Sequence, residues 1–166
     1  MPRPSLRRAA ALTAIAAALG LGLAAPAEAG PGPIPPLTAH ERALLGSTVP
    51  KTVELDPATG RILSVKESES KSVKESGAPV QAIGRHNYCD ASDGCFYSGR
   101  TPYAHQGFYG SPGTSHGDWP YRSGYYTGKY KAKPCWAQAC TEIPLPPRTY
   151  ADFRGALVTG KSFRIY

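Results

Sequence analysis

The chain has 166 residues, of which 10% are aromatic and four are cysteine, and its formal net charge is +7 at pH 7. That length supports one small domain with a tail. No H-E-x-x-H zinc motif occurs, so the commonest signature of a metallopeptidase is absent.

The first 29 residues have the pattern of a secretory signal peptide. MPRPSLRR supplies three arginines, an apolar run follows, and Ala27-Glu28-Ala29 ends it with small residues at a cleavage spacing. A retained membrane anchor is the alternative, but the apolar run is short for one. We predict cleavage after Ala29, a secreted (extracellular) protein, and no transmembrane segment in the mature chain.

Residues 30–83 are predicted to form a light N-terminal arm, because they contain no Phe, Tyr or Trp and equal numbers of acidic and basic side chains. Thr38 and Glu41 fit a capping box and predict a short helix that ends near Gly46. Residues 52–65 have the alternation and turn cluster of a hairpin, and 66–79 read as a charged linker. Because a lone hairpin is marginal in water, it either adds strands to the following domain or belongs to a pro-segment or partner-binding arm.

Residues 84–166 are predicted to be the compact domain, since every aromatic residue and every cysteine lies at or after Tyr88. We expect an all-β, antiparallel domain of Greek-key or sandwich type, with a Gly-rich loop over 111–118. The β-prone segments are Phe96–Tyr97, Gln106–Tyr109, Tyr125–Lys133 and Ala156–Tyr166. The last is predicted to be a hairpin that turns at 159–161, with Phe163 and Ile165 on one face.

The four cysteines occur as two close pairs. In an exported chain the default is two disulfides, and four cysteines allow three connectivities. We favour the local pairing, Cys89 with Cys95 and Cys135 with Cys140, because the intervening segments are turn-sized. The alternative is a zinc site of these cysteines with His86, although the spacings miss the usual patterns. No metal and no cofactor are predicted.

No catalytic residue is assigned by the sequence. His105 and His116 flank a Gly/Ser-rich segment near Asp118 and would form a proton-transfer pair if they met, against the alternative of solvated positions. Tyr125-Tyr126-Thr127-Gly128 resembles a segment of small secreted guanyl-specific ribonucleases. In that family a catalytic histidine follows closely, whereas here 129–131 read Lys-Tyr-Lys. A ribonuclease therefore stays a minor alternative.

A second resemblance concerns fold and function together. Tyr103-AHQG-Phe108-Tyr-Gly110 fits the aromatic-x4-aromatic-x-Gly pattern of a βγ-crystallin Greek key, and Cys89-DASDG-Cys95-Phe96-Tyr97 is similar to the entry of small secreted peptidase inhibitors of family I36. The resemblance implies a crystallin-like β fold and an inhibitory or binding role against an extracellular peptidase. The crystallin-type calcium loop is missing, so no calcium site is implied.

Alternating lysines indicate a second kind of surface. On a strand, Lys129, Lys131 and Lys133 would face one side about 6–7 Å apart, and with Arg122 and Arg100 they would form a basic stripe. Such a stripe fits an anionic polymer of the envelope, a nucleic acid or a lipid surface. The alternative is a solvated face or an edge strand protected by lysine.

These patterns predict a secreted, monomeric, non-catalytic binding or inhibitory module, with a peptidase as one partner class. An antimicrobial or envelope-binding protein that uses the basic stripe is the alternative. The predicted partner-binding residues are Tyr103, His105, His116, Trp119 and Tyr121.

Overall fold

The chain forms one short helix before its first strand, in a computed structural model that describes residues 35–68 and 82–166. Helix α1 (Ala39–Gly46) begins at the predicted capping box, in which the Glu41 carboxylate accepts from the Thr38 N–H at 2.9 Å. The predicted signal peptide and most of the predicted linker lie outside the described residues. Contacts group Ile34–Tyr166 into one compact unit.

Within residues 35–68 and 82–166, nine strands follow the helix and confirm the all-β prediction. They are β1 (Lys51–Leu55), β2 (Ile62–Glu67), β3 (Gly84–His86), β4 (Gly94–Ser98), β5 (Gln106–Tyr109), β6 (Gly113–Tyr126), β7 (Ala132–Trp136), β8 (Thr149–Asp152) and β9 (Val158–Ile165). Their order is β2-β1-β8-β6-β4-β5-β3, and β9 pairs with both β6 and β7. The sheet is mixed, because β1 and β8 run parallel while the other pairs are antiparallel.

The predicted hairpin is present and lies within the sheet. Strand β1 pairs with β2 on one side and with β8 on the other, from Lys51 opposite Thr149 to Glu54 opposite Asp152. Val53 and Leu55 are fully buried. Of the two alternatives for the N-terminal arm, the hairpin therefore takes the first and adds strands to the domain.

The predicted loop over 111–118 is wrong, because most of it belongs to β6. The first part of β6 pairs with β9, from Gly113 opposite Ile165 to His116 opposite Ser162. The predicted strand over 125–133 is likewise interrupted, since β6 ends at Tyr126 and β7 begins only at Ala132. Pairing with a strand that is distant in the sequence has outweighed the low strand propensity of this Gly/Ser-rich segment.

The predicted terminal hairpin is also wrong, because β9 is one continuous strand. Gly160 makes no turn and instead lies opposite both Trp119 of β6 and Trp136 of β7. A Cβ atom at Gly160 would come 3.0 Å from the Phe96 ring. This glycine therefore provides space for a core aromatic ring. Phe163 and Ile165 do share the buried face, as predicted.

Aromatic rings build the centre of the core. The Phe163 ring stacks on Phe108 with centroids 4.3 Å apart and meets Phe96 edge-on at 5.5 Å. Phe96 and Phe108 belong to β4 and β5, with which β9 does not pair. Side chains of β9 thus pack across the core against β4 and β5, two strands to which β9 is not hydrogen-bonded, as in a sandwich.

Both disulfides have the predicted local pairing, Cys89 with Cys95 and Cys135 with Cys140. No described cysteine is free. The alternative of a zinc–thiolate site is therefore wrong, because a disulfide sulfur is not a thiolate ligand.

One polar pair lies inside the core. The Tyr125 hydroxyl and the Thr141 Oγ1 are 2.6 Å apart, and Tyr125 is fully buried. Burial raises the pKa of the Tyr125 phenol, so the hydroxyl stays neutral and bonded.

We expect Tyr125→Phe or Thr141→Val alone to lower the free energy of unfolding by about 1–2 kcal/mol, because each leaves the other hydroxyl buried without this partner. The double variant should lose at least about 1 kcal/mol less than the sum of the two single losses. Urea unfolding of the four proteins measures this coupling. Additive losses would show that the hydroxyls do not interact.

Candidate functional site

A group of exposed and half-exposed side chains, three of them rings, lies where the 99–105 segment meets β6. We name it the aromatic surface and define it as Arg100, Tyr103, His105, Tyr121 and Leu157. The Tyr103 and Tyr121 rings are 4.6 Å apart, and the Arg100 guanidinium lies 4.7 Å from the Tyr121 ring centroid. Tyr103 is 41% and Leu157 46% exposed. Tyr and Arg side chains are the types that most often dominate binding energy at interfaces.

The backbone holds this surface in a defined shape. Tyr121 has φ +59°, a left-handed conformation that is rare for a bulky residue. Its carbonyl accepts from the Gly99 N–H at 2.8 Å, and the Arg100 carbonyl accepts from the Tyr103 N–H at 3.1 Å. The Ser98 N–H donates to the His105 Nδ1 at 2.9 Å. Unfavourable backbone conformations of this kind concentrate at functional sites.

Arg122 lies beneath the aromatic surface and corrects the predicted basic stripe. Its side chain is only 3% exposed and donates to the carbonyls of Ala104 at 2.8 Å and Pro120 at 2.9 Å. Burial lowers the pKa of Arg122 from its ordinary value. Arg122 therefore ties the 99–105 segment to β6 and does not contribute to an exposed basic stripe.

The three lysines do not share one strand face either. Lys129 lies in the turn after β6, Lys131 precedes β7, and only Lys133 lies on a strand. The Lys133 ammonium donates to the Glu142 carbonyl at 3.3 Å. The spacing of about 6–7 Å that a strand would impose on all three is therefore not formed.

Trp119 does not belong to an exposed binding surface, contrary to the sequence prediction. It is 7% exposed, and its ring lies 5.0 Å from Phe108 and 5.8 Å from Phe96. Opposite it on β9 is Gly160, which leaves room for these rings. Trp119 therefore stabilises the core.

The histidines of the predicted proton-transfer pair lie on different elements. His105 lies in the segment before β5 and meets the Tyr97 ring at 5.4 Å. His116 is exposed on β6 opposite Ser162, and Asp118 pairs with Lys161. Within 35–68 and 82–166, no hydrogen bond or ring contact joins the two histidines.

A serine pattern in β6 also lacks the geometry for catalysis. Residues 113–117 read Gly-Thr-Ser-His-Gly and have the spacing of a nucleophile elbow. Ser115 lies within the strand opposite Phe163. An elbow requires a sharp strand-to-helix turn, so the pattern does not create a nucleophile here.

A polar groove of about 700 Å³ lies beside β3 and β6. Its lining residues are Arg85, His86, Asn87, Gln106, His116, Gly117, Asp118 and Trp119. The Arg85 Nη1 donates to the His116 carbonyl at 3.2 Å, and the Gln106 Nε2 donates to the His86 carbonyl at 2.7 Å. The carbonyls of His116 and His86 thus accept hydrogen bonds from side chains that line the same groove.

His86 and Asp93 form a close pair in this region that the sequence did not predict. The His86 Nε2 and the Asp93 Oδ2 are 2.5 Å apart, and only 6% of the Asp93 side chain is exposed. Burial raises the pKa of the Asp93 carboxyl, and the hydrogen bond from His86 opposes that effect. The available signal was the disulfide-closed Asp-Ala-Ser-Asp-Gly loop, which begins four positions after His86.

Comparisons of the chain with protein-family models, with curated proteins and with solved structures found no match. The resemblance to crystallin-like peptidase inhibitors therefore stays a prediction. Among the described residues, no helix is long and apolar enough to cross a membrane.

Proposed function

We propose that this chain is an exported, non-catalytic binding module that inhibits an extracellular peptidase through the aromatic surface. The observation that carries the proposal is Tyr121, which is held at φ +59° between Arg100 and the exposed Tyr103. Two aromatic rings and one guanidinium form a compact group of the residue types found at interface hot spots. The exposed Leu157 lies beside the same segment, since a Cβ atom at Gly99 would come 2.5 Å from its Cδ2.

The hydrogen bonds that hold the 99–105 segment in place support an inhibitory role. Binding costs conformational entropy, and a segment already fixed by backbone hydrogen bonds loses less of it on association. The buried Arg122 guanidinium adds bonds from β6 to the segment that carries Tyr103. The two disulfides and the predicted signal peptide agree with an oxidising, extracellular setting.

The test is a titration of the disulfide-bonded protein against a panel of serine and metallopeptidases. For the peptidase that it inhibits, Tyr103→Ala should raise the inhibition constant at least about tenfold, the loss typical of a hot-spot tyrosine. Tyr166→Ala is the matched control. Tyr166 is 42% exposed, its ring is 4.6 Å from Arg164, and it follows the end of β9 that pairs with Gly113, at the far end of β6 from Tyr121.

The control should inhibit within about twofold of the unaltered protein, as expected for a residue outside the contact. Absence of inhibition across the panel at micromolar protein would overturn the peptidase proposal. Equal losses in the two variants would overturn the assignment of the aromatic surface.

A further inference from the structure

The loop between the first two cysteines is fixed at both ends and in its middle. The Cys89–Cys95 disulfide closes it, and the Asp93 N–H donates to the Asp90 carbonyl at 3.1 Å. From outside, the Lys129 N–H donates to the Ser92 carbonyl at 3.0 Å. The backbone that carries Asp90 and Asp93 is therefore held in one shape before any ligand arrives.

His86 approaches this loop from strand β3 and is itself held in place. Its ring lies 3.8 Å from the Tyr88 ring and 5.1 Å from the Tyr109 ring. A Cβ atom at Gly107 would come 2.3 Å from the His86 Nε2, so the glycine leaves the space that the imidazole occupies. The ring thus keeps its Nε2 directed at the Asp93 carboxylate.

Three ligand atoms meet at this point. One nitrogen of His86 and one oxygen each of Asp90 and Asp93 lie within 4.8 Å of one another. The group differs from acidic residues on a solvated loop in two respects, since it includes an imidazole nitrogen and since the Asp93 side chain is only 6% exposed. A buried carboxylate is stable when it is hydrogen-bonded or paired with a positive charge. Here the His86 imidazole supplies a hydrogen bond, and a bound cation would supply the charge.

We propose that His86, Asp90 and Asp93 form a zinc-binding site, in departure from the sequence prediction of no metal. One imidazole nitrogen and two carboxylate oxygens suit Zn²⁺, whereas Ca²⁺ requires six to eight oxygens. Around tetrahedral zinc, ligand atoms at about 2.0–2.2 Å from the metal lie about 3.4 Å from each other. The His86–Asp93 separation of 2.5 Å therefore has to open by about 1 Å as Zn²⁺ takes the place of the hydrogen between them, which is released to solvent as a proton. Three protein ligands leave the fourth position to water or to a group of a partner.

The test is calorimetric titration of the disulfide-bonded protein with Zn²⁺. We expect one Zn²⁺ per chain with micromolar or tighter affinity and at least tenfold weaker binding for Asp90→Asn. Asp90 is exposed, so this variant should fold normally. The matched control is Asp118→Asn, which removes an exposed carboxylate from the nearby groove and should leave the affinity within twofold.

Nuclear magnetic resonance gives a readout that does not depend on affinity alone. Zn²⁺ should shift the ring signals of His86, together with those of the adjacent Tyr88 and Tyr109, and leave His105 and His116 unchanged. Absence of saturable binding, equal affinity for Asp90→Asn and the unaltered protein, or equal shifts at all these histidines would each overturn the proposal. Peptidase inhibition is not measured in these experiments, so the two proposals can fail separately.

Discussion

Gly60→Ala is expected to lower the free energy of unfolding by about 3 kcal/mol or more, with a fall in Tm of about 10 °C. Gly60 has φ +75°, and a Cβ atom there would lie 1.8 Å from the carbonyl oxygen of Cys140. Because that atom belongs to the backbone of a disulfide-closed turn, it cannot move away as a flexible side chain would. The Glu142 N–H also donates to the Gly60 carbonyl at 3.0 Å, so displacement costs a hydrogen bond as well.

Gly155→Ala is the matched control, because it introduces the strain of a positive φ without a steric clash. Gly155 has φ +79°, but nothing lies within 4 Å of the Cβ position. Its cost should be about 1 kcal/mol, the usual cost of a left-handed conformation for an L-residue. Urea unfolding of both variants measures the difference. Equal costs would mean that the tip of the β1–β2 hairpin does not pack against the Cys135–Cys140 turn.

The second large effect is expected at Phe163. Phe163→Ala should lower the free energy of unfolding by about 3–5 kcal/mol, because it removes a fully buried ring and leaves a cavity. The ring stacks on Phe108 and meets Phe96 edge-on, so its loss also weakens packing between β9 and strands that it does not pair with.

Two further variants calibrate that loss. Phe163→Leu retains most of the buried volume and should cost about 1.5 kcal/mol or less, so it stays measurable if the alanine variant does not fold. Tyr166→Ala alters an exposed ring in the same segment and should change stability by no more than about 0.5 kcal/mol. Similar unfolding midpoints for Phe163→Ala and Tyr166→Ala would contradict a central role for Phe163. Circular dichroism in urea provides all three midpoints.

Short-range patterns predicted the elements whose decisive interactions are local. The capping box needs only Thr38 and Glu41, and the β1–β2 turn is stabilised by bonds from Ala58 and Thr59 to the Asp56 carboxylate. Both disulfides join cysteines six or five positions apart. In each case the interacting residues lie no more than six positions apart in the sequence, so that their spacing alone restricts the geometry they can adopt.

Long-range interactions decided the elements that sequence reasoning missed. The Gly-rich start of β6 becomes a strand because β9, almost fifty residues later, pairs with it. Gly160 reads as a turn residue, yet its position is set by the space that Phe96 and Trp119 need. The spacing of residues along the chain does not encode which distant strand or ring will be the neighbour.

The same distinction applies to the candidate site. Exposure of Tyr103 and His105 agrees with the Gly- and Pro-rich segments around them, whereas Tyr121 is half-buried. Burial of Arg122 depends on the carbonyls of Ala104 and Pro120, which are brought to it by the folding of the 99–105 segment. An arginine read from sequence as a surface cation thus becomes an internal donor only when tertiary structure supplies its acceptors.

The parallel pairing of β1 with β8 has a consequence for the order in which the molecule is completed. About a hundred residues separate Lys51 from its partner Thr149. During synthesis the hairpin emerges well before β8, so its inner edge remains open until β8 is available, and a two-stranded hairpin alone is marginally stable. The sheet of the nascent chain therefore stays incomplete until β8 has been synthesised, and any fragment that ends before β8 leaves β1 with an open hydrogen-bonding edge.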